Sequence, residues 1–247
     1  MANIFITGSA DGLGFLAARA LLLQGHVVTL HARNEKRRLD VLKKLPEGVR
    51  VLTGDLGNLE ETKELALKVN ELGKFDTIVH NAGVYQAGGA ELFTVNVLAP
   101  YILTSLIEKP KRLIYLSSDM HKGGHSKFTG VLSNMDQITY ADTKLYVLML
   151  CKAIAKLWPD VYANTLNPGW VPTKMGGRNA PDSLESGYQT QVWLAVSNDK
   201  PIKVSGRFFY HLRETGYNLE ADEIPQQVQL LKWCQKITGV AFPEQVL

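Results

Sequence analysis

The 247-residue chain carries a formal net charge of +3, with 21% charged and 45% hydrophobic residues, the balance of a globular protein able to bury a sizeable core as a single domain, 1–247. No basic tract calls for nucleic acid, no apolar run approaches the ~20 residues that cross a bilayer, and Cys151 and Cys234 are too few for a disulfide framework or a zinc site. The expectation is a cytoplasmic protein without membrane attachment, whose first residues, lacking a basic leader, read as a strand.

Along the chain, short apolar runs at 4–7, 27–31, 49–53, 77–80, 113–116 and 161–166 read as strands. Between them lie helical spacings such as Leu13, Leu16, Ala20, Leu23 and Leu65, Val69, Leu72. Strand and helix in alternation predict an α/β fold, a single Rossmann-type doubly wound parallel sheet with helices on both faces. Ligands of such sheets bind beyond the carboxyl ends of the strands.

The first strand runs into Thr7-Gly8-Ser9-Ala10-Asp11-Gly12-Leu13-Gly14, directly ahead of a helix. Glycines there allow a tight turn and close approach of backbone to a diphosphate, and the helix N-terminus favours its negative charge. The second strand ends His31-Ala32-Arg33-Asn34, with arginine where an acidic residue would hold the ribose hydroxyl of NAD. A guanidinium suits a 2′-phosphate, so NADP(H) is expected over NAD(H). After the third strand, Asp55 is placed to accept from an adenine amino group or to cap the next helix. Asn81-Ala82-Gly83 offers small residues against which a cofactor ribose can lie, and His80 reads as a packed histidine.

Tyr140 and Lys144 open a helical, apolar segment, and residues four apart share a helix face. A phenol and an ammonium addressing one pocket suit proton transfer, the cation favouring the phenolate. The connection at 119–139 is long for a compact domain, so it is expected to wall the site. Its His121 and His125 are separated by Gly123 and Gly124, which argues against a metal-binding helix, and no metal site is expected. Asp142 reads as an early-helix carboxylate. The stretch 174–190 begins as a glycine- and proline-bearing loop expected to close over substrate, with Phe128, Trp170 and Met175 as candidate apolar lining. Residues 192–195 read as a helix, 208–210 as a late strand, and 227–236 as a terminal helix with Val228, Leu231 and Trp233 or Cys234 inward.

Taken in order, these residues resemble the short-chain dehydrogenase/reductase family in its classical, NADP-preferring form. The resemblance rests on Thr-Gly-x-x-x-Gly-x-Gly at 7–14, Asn-Ala-Gly at 81–83, Asn96, Ser117-Ser118, Tyr140-x-x-x-Lys144 and Asn167-Pro168-Gly169 followed by Thr173. Residues 186–190 and 205–209 look like its retinol-dehydrogenase-like branch, which implies a hydrophobic carbonyl or alcohol substrate. By that resemblance Tyr140 is the general acid/base, Lys144 lowers its pKa and holds the nicotinamide ribose, Ser118 bonds the substrate oxygen, and Asn96 keeps a relay water. Ser117 is the rival to Ser118. The resemblance also implies cofactor contacts from Gly8, Ser9, Asp11, Gly12, Leu13, Gly14, Arg33, Asn34, Asp55, Leu56, Asn81, Ala82 and Gly83, and from Pro168, Gly169, Val171 and Thr173 around the nicotinamide. The expected activity is NADP(H)-dependent interconversion of a carbonyl and an alcohol by hydride transfer, in a monomer or a homo-oligomer. The alternative is a dinucleotide-binding sensor or interaction module without catalysis.

Overall fold

The computed structural model describes residues 1–126 and 135–243. Five βα steps build its first half. These are β1 (Asn3–Ile6) with α1 (Gly12–Leu23), β2 (Val27–Ala32) with α2 (Glu35–Leu42), β3 (Arg50–Thr53) with α3 (Leu59–Glu71), β4 (Thr77–His80) with α4 (Gly89–Phe93) and α5 (Ala99–Leu106), and β5 (Arg112–Leu116) with α6 (Tyr140–Leu157). There follow β6 (Tyr162–Asn167), α7 (Leu184–Val196), β7 (Phe208–Tyr210), β8 (Arg213–Glu214) and α8 (Ile224–Thr238). All eight strands join one sheet in the order β3-β2-β1-β4-β5-β6-β7-β8, parallel except for the antiparallel β7–β8 pair.

Both faces of this sheet are covered, which explains why β1 and β5 run apolar on both sides. In β1, Phe5 belongs to the core beneath α3, α5, α6 and α8, while Ile4 and Ile6 belong to the core beneath α1 and α7. In β5, Leu113 and Tyr115 face the first core and Ile114 and Leu116 the second. This is the two-residue period of a strand, with both sides buried.

The helical run Gly89–Leu106 has mean hydropathy 1.2 over 18 residues, so by length and composition it passes as a membrane-crossing segment, contrary to the expectation that no run does. It is 72% buried, however, the property of a core helix. Midway through it, Thr94–Leu98 widens into a π-turn carrying Asn96, an irregularity found disproportionately at functional sites. In α8 the buried positions are Gln227, Leu230, Leu231, Trp233, Cys234 and Thr238, so Leu230 takes the inward place expected of Val228.

Chain reversal brings strand order to a switch point between β1 and β4, where the connections after the two strands leave toward opposite faces of the sheet. A crevice opens there beyond the carboxyl ends of the strands.

Candidate active site

A cleft of about 650 Å³ occupies this crevice, running from the β1–α1 turn past the end of β4 to the start of α6 and the segment after β6. Gly8 adopts φ +62, and a Cβ there would come 2.8 Å from the Ala82 Cα, so only glycine lets the two turns meet. His31, a residue for which sequence reasoning found no role in the site, organises this wall. Its Nδ1 accepts from the Gly8 N–H at 2.9 Å, so its Nε2 carries the proton and donates to the Gly54 carbonyl at 2.8 Å. Burial holds its pKa below the ordinary histidine value, consistent with a neutral ring.

Of the residues expected to touch a cofactor, Gly8, Asp11, Gly12, Leu13, Arg33, Asp55, Leu56, Asn81, Ala82, Gly83, Tyr140, Lys144, Pro168 and Thr173 line the cleft. The others stand behind it. Ser9 is fully buried, with its hydroxyl donating to Ile6 and accepting from the His31 N–H. Gly14 packs directly under the Asn81 amide, which donates to the carbonyls of Thr7 and Gly8 at 2.9 and 3.1 Å. Asn34 spends its side chain capping α2, accepting from the Arg37 N–H. Gly169 is wedged between Asp182 and His211, and Val171 is buried against Gly187. Asp55 does not cap α3, a task done by Asn58; it pairs instead with Arg33 at 2.9 Å.

At the other end, α6 begins at Tyr140 because Thr139 and Asp142 form a reciprocal capping box, and Asp142 also accepts from the His125 N–H at 2.9 Å. One turn on, Lys144 is only 4% exposed. Its Nζ donates to the Leu116 carbonyl at 2.9 Å and lies 5.3 Å from the centre of the Tyr140 ring. Gly83 closes over it, since a Cβ there would sit 3.4 Å from Nζ. Tyr85 presses against the Tyr140 ring edge-to-face at 4.8 Å.

Ser117 and Ser118 separate cleanly. Ser117 is buried and donates to the Lys144 carbonyl at 2.7 Å, fastening β5 to α6. Ser118, whose hydroxyl accepts from the Met120 N–H at 3.3 Å, stands near the Tyr140 hydroxyl and pulls the phenol's pKa downward. Burial wins over it, aided by Tyr85, and pushes the phenol up to about 12. The expectation that Lys144 lowers the pKa of Tyr140 is therefore not met in this geometry. Burial acts on both groups and drives the ammonium down to about 8.

Asn96 does not reach the cleft surface. Its Oδ1 accepts from the Val84 N–H at 2.8 Å and its Nδ2 donates to the Val84 carbonyl and the Thr143 hydroxyl, both at 3.0 Å, so both amide hydrogens are committed to clamping the turn after β4 onto α6. The loop after β6 is folded rather than open. Trp170 is 60% exposed with its indole donating to the Gly176 carbonyl, Met175 lines the cleft, and Lys174 is ion-paired with Asp11 across it. Phe128 lies outside the described residues.

This arrangement suits an elongated anionic ligand at the α1 N-terminus, with a proton donor at the far end. Residues 2–123 match the short chain dehydrogenase family. The chain is 40% identical to an uncharacterized oxidoreductase of Emericella nidulans, over 98% of this chain and 99% of that one. It is 38% identical to the short-chain dehydrogenase chyC of Penicillium rubens, over 98% and 100% respectively. Among solved structures, a short chain dehydrogenase from Shigella flexneri complexed with NADP superposes with a TM-score of 0.70 at 20% identity, covering 86% of this chain and 97% of that one. Fold, site and full-length relatives agree, and the chain belongs to the short-chain dehydrogenase family.

Proposed function

We propose that this oxidoreductase uses NADP(H) to interconvert a carbonyl compound and an alcohol. The observation that carries the reading is the convergence of Tyr140, with Ser118 near its hydroxyl, and the buried Lys144 at one end of the cleft whose other end is the glycine turn and the N-terminus of α1. Gly8, Gly12 and the α1 N-terminus would hold the diphosphate, and Asn81–Gly83 and Lys144 the nicotinamide ribose. Arg33, 64% exposed, spends its Nε on Asp55 and has terminal nitrogens without a protein partner among the described residues, which suits a 2′-phosphate. The complex of the Shigella flexneri relative with NADP agrees with this assignment.

When bound, the nicotinamide supplies or accepts the hydride. Reduction of a carbonyl leaves negative charge on oxygen, and the chain's own groups answer it. The Ser118 hydroxyl donates a hydrogen bond to that oxygen, and the Tyr140 hydroxyl delivers the proton, a step typically worth about 10²–10⁴ in rate. A phenol held up at about 12 is fully protonated at neutral pH and ready to donate. The Lys144 ammonium, 5.3 Å from the centre of the ring, would hold the nicotinamide ribose beside it. Met175 and Leu184 on the cleft wall, with Trp170 exposed beside them, suit a hydrophobic carbonyl compound, as in the retinol-dehydrogenase-like branch.

A panel of aldehydes and ketones assayed by NADPH oxidation tests the reading. Tyr140→Phe is expected to lower turnover by at least about 10²-fold while NADPH still binds, as followed by fluorescence. Arg33→Ala is expected to erase the preference for NADPH over NADH. Full activity in Tyr140→Phe overturns the mechanism. NADPH binding by the wild type without turnover of any carbonyl favours the sensor or interaction-module reading instead.

A further inference from the structure

The loop that carries Ser118 is held from behind by a histidine. Ser118 opens the tight turn Asp119–Gly123, and His121 within that turn is fully buried. Its Nδ1 lies 2.6 Å from the Ser118 carbonyl oxygen, and its Nε2 lies 3.1 Å from the backbone nitrogen of Asn218. A carbonyl only accepts and an amide N–H only donates, so the two partners fix one tautomer. Nδ1 carries the proton and donates to Ser118, while Nε2 accepts from Asn218. The ring packs on Phe208 of β7, with centroids 4.6 Å apart.

The partner segment is itself anchored. The Asn218 side-chain amide donates to the Gly124 carbonyl at 3.2 Å, and the Glu220 carboxylate accepts from the Ser126 N–H at 2.7 Å. Asp222 pairs at 2.7 Å with Lys152, two turns beyond Lys144 on α6. The stretch 218–222 thus grips the Ser118 loop at three points and α6, which carries Tyr140, at a fourth.

The geometry points to His121 as a positioning residue: through Nδ1 it fixes the Ser118 backbone, and with it the hydroxyl that stands near Tyr140, using residues 218–222 as its anchor. This rests on the proposed carbonyl chemistry, in which Ser118 and Tyr140 must meet the same oxygen. Groups that share a reacting atom tolerate displacements of only about 0.5 Å.

The test is a double-mutant cycle with NADPH and para-nitrobenzaldehyde as the carbonyl probe. His121→Phe preserves the ring's packing and removes both nitrogens. It is expected to lower kcat about tenfold, the effect of one misplaced hydrogen bond, with KM and NADPH affinity within about twofold of wild type. In a Ser118→Ala background the same substitution is expected to cost nothing further, because the group it positions is gone. His121→Asn keeps an amide donor near the place of Nδ1 and is expected to recover part of the loss. Should His121→Phe fold poorly, Asn218→Pro removes the partner's N–H together with its side-chain amide, at a residue whose φ of −68 already suits proline. Compared with Asn218→Ala, which keeps that N–H, it is expected to show the same tenfold fall.

An equal loss in both Ser118 backgrounds, or equal turnover of Asn218→Pro and Asn218→Ala, overturns this inference. Unchanged turnover in Ser118→Ala overturns the reading of the site beneath it, and this inference with it. A slowed Ser118→Ala beside an unaffected His121→Phe overturns this inference alone.

Discussion

Lys144 carries its charge in a place that disfavours charge. Burial pushes its ammonium down to about 8, from 10.5 for a free lysine, with the Leu116 carbonyl as its one hydrogen-bond partner among the described residues. Between those two values the unfolded chain holds a proton that the folded chain has released, so stability rises with pH across that window. Below it the fold carries a constant penalty on the order of 3 kcal/mol. Tyr140 runs the other way. Its raised pKa means that its contribution is complete below pH 10 and is lost as pH climbs through about 12. Lys144→Met is therefore expected to stabilise the protein by about 1–2 kcal/mol at neutral pH, the relief of the charge outweighing one unsatisfied carbonyl, and to flatten the rise above pH 8. Urea denaturation at several pH values measures both, and a Met variant no more stable than wild type sinks the argument. The pairing of Tyr140 with Lys144 on one helix face was legible in the sequence from spacing alone. The direction in which Tyr140 shifts was not, because it is set by burial, to which Tyr85 comes from far away in the chain.

At the scale of elements, strands buried on both faces announce themselves as short continuous apolar runs, which is why six of them were readable to within a residue or so. The glycine turn and α1 were readable too, because Gly8 and Gly12 each take a positive φ that other residues resist. Less legible was why Gly14 must be glycine, since that depends on Asn81 arriving from the end of β4. An alanine at position 14 has a helix propensity better by about 1 kcal/mol. Its Cβ, however, would overlap the Asn81 amide and come 2.8 Å from the Gly8 carbonyl. Overpacking of that kind typically costs about 1–3 kcal/mol, so the clash wins. Gly14→Ala is expected to lower Tm and to weaken NADPH binding at least about tenfold by moving the turn. Gly25→Ala, at φ +80 with open space around its Cβ, is expected to lose only about 1–2 kcal/mol of stability and no affinity. Equal affinities in the two variants would show that the turn is not held by this packing. The π-turn around Asn96 and the β7–β8 hairpin gave no warning at all. His211 and Leu212 occupy the hairpin turn at φ 43 and 65, where a sequence reader looks for Asn-Gly.

For the molecule as a whole, the parallel sheet places the turn after β1 and the segment after β6 on opposite lips of one cleft, and a pair of charges joins the lips. Lys174 reaches across to Asp11, the N-cap of α1, and Arg37 approaches the same carboxylate at 3.6 Å. Their pull, led by the hydrogen bond from Lys174, holds the Asp11 carboxyl below the usual carboxylate range. Sequence order could not reveal this, since the partners lie at the two ends of the fold. Exposed pairs of this kind contribute about 0–1 kcal/mol to stability, so Lys174→Ala is expected to leave Tm nearly unchanged. The proposed cofactor feels the change more, because Asp11 stands at the helix N-terminus that would receive its diphosphate, and without Lys174 its charge is countered, among the described residues, by Arg37 at 3.6 Å. NADPH is expected to bind about two- to fivefold more weakly to Lys174→Ala at low ionic strength. The deficit should close as added salt brings the Debye length to about 8 Å and below. Asp11→Asn in the same background removes the repelling charge and is expected to restore affinity without Lys174. Fluorescence titration of the two variants across a salt series decides it: a deficit that persists at high salt, or that Asp11→Asn leaves in place, would mean that Lys174 acts through loop packing and not through charge.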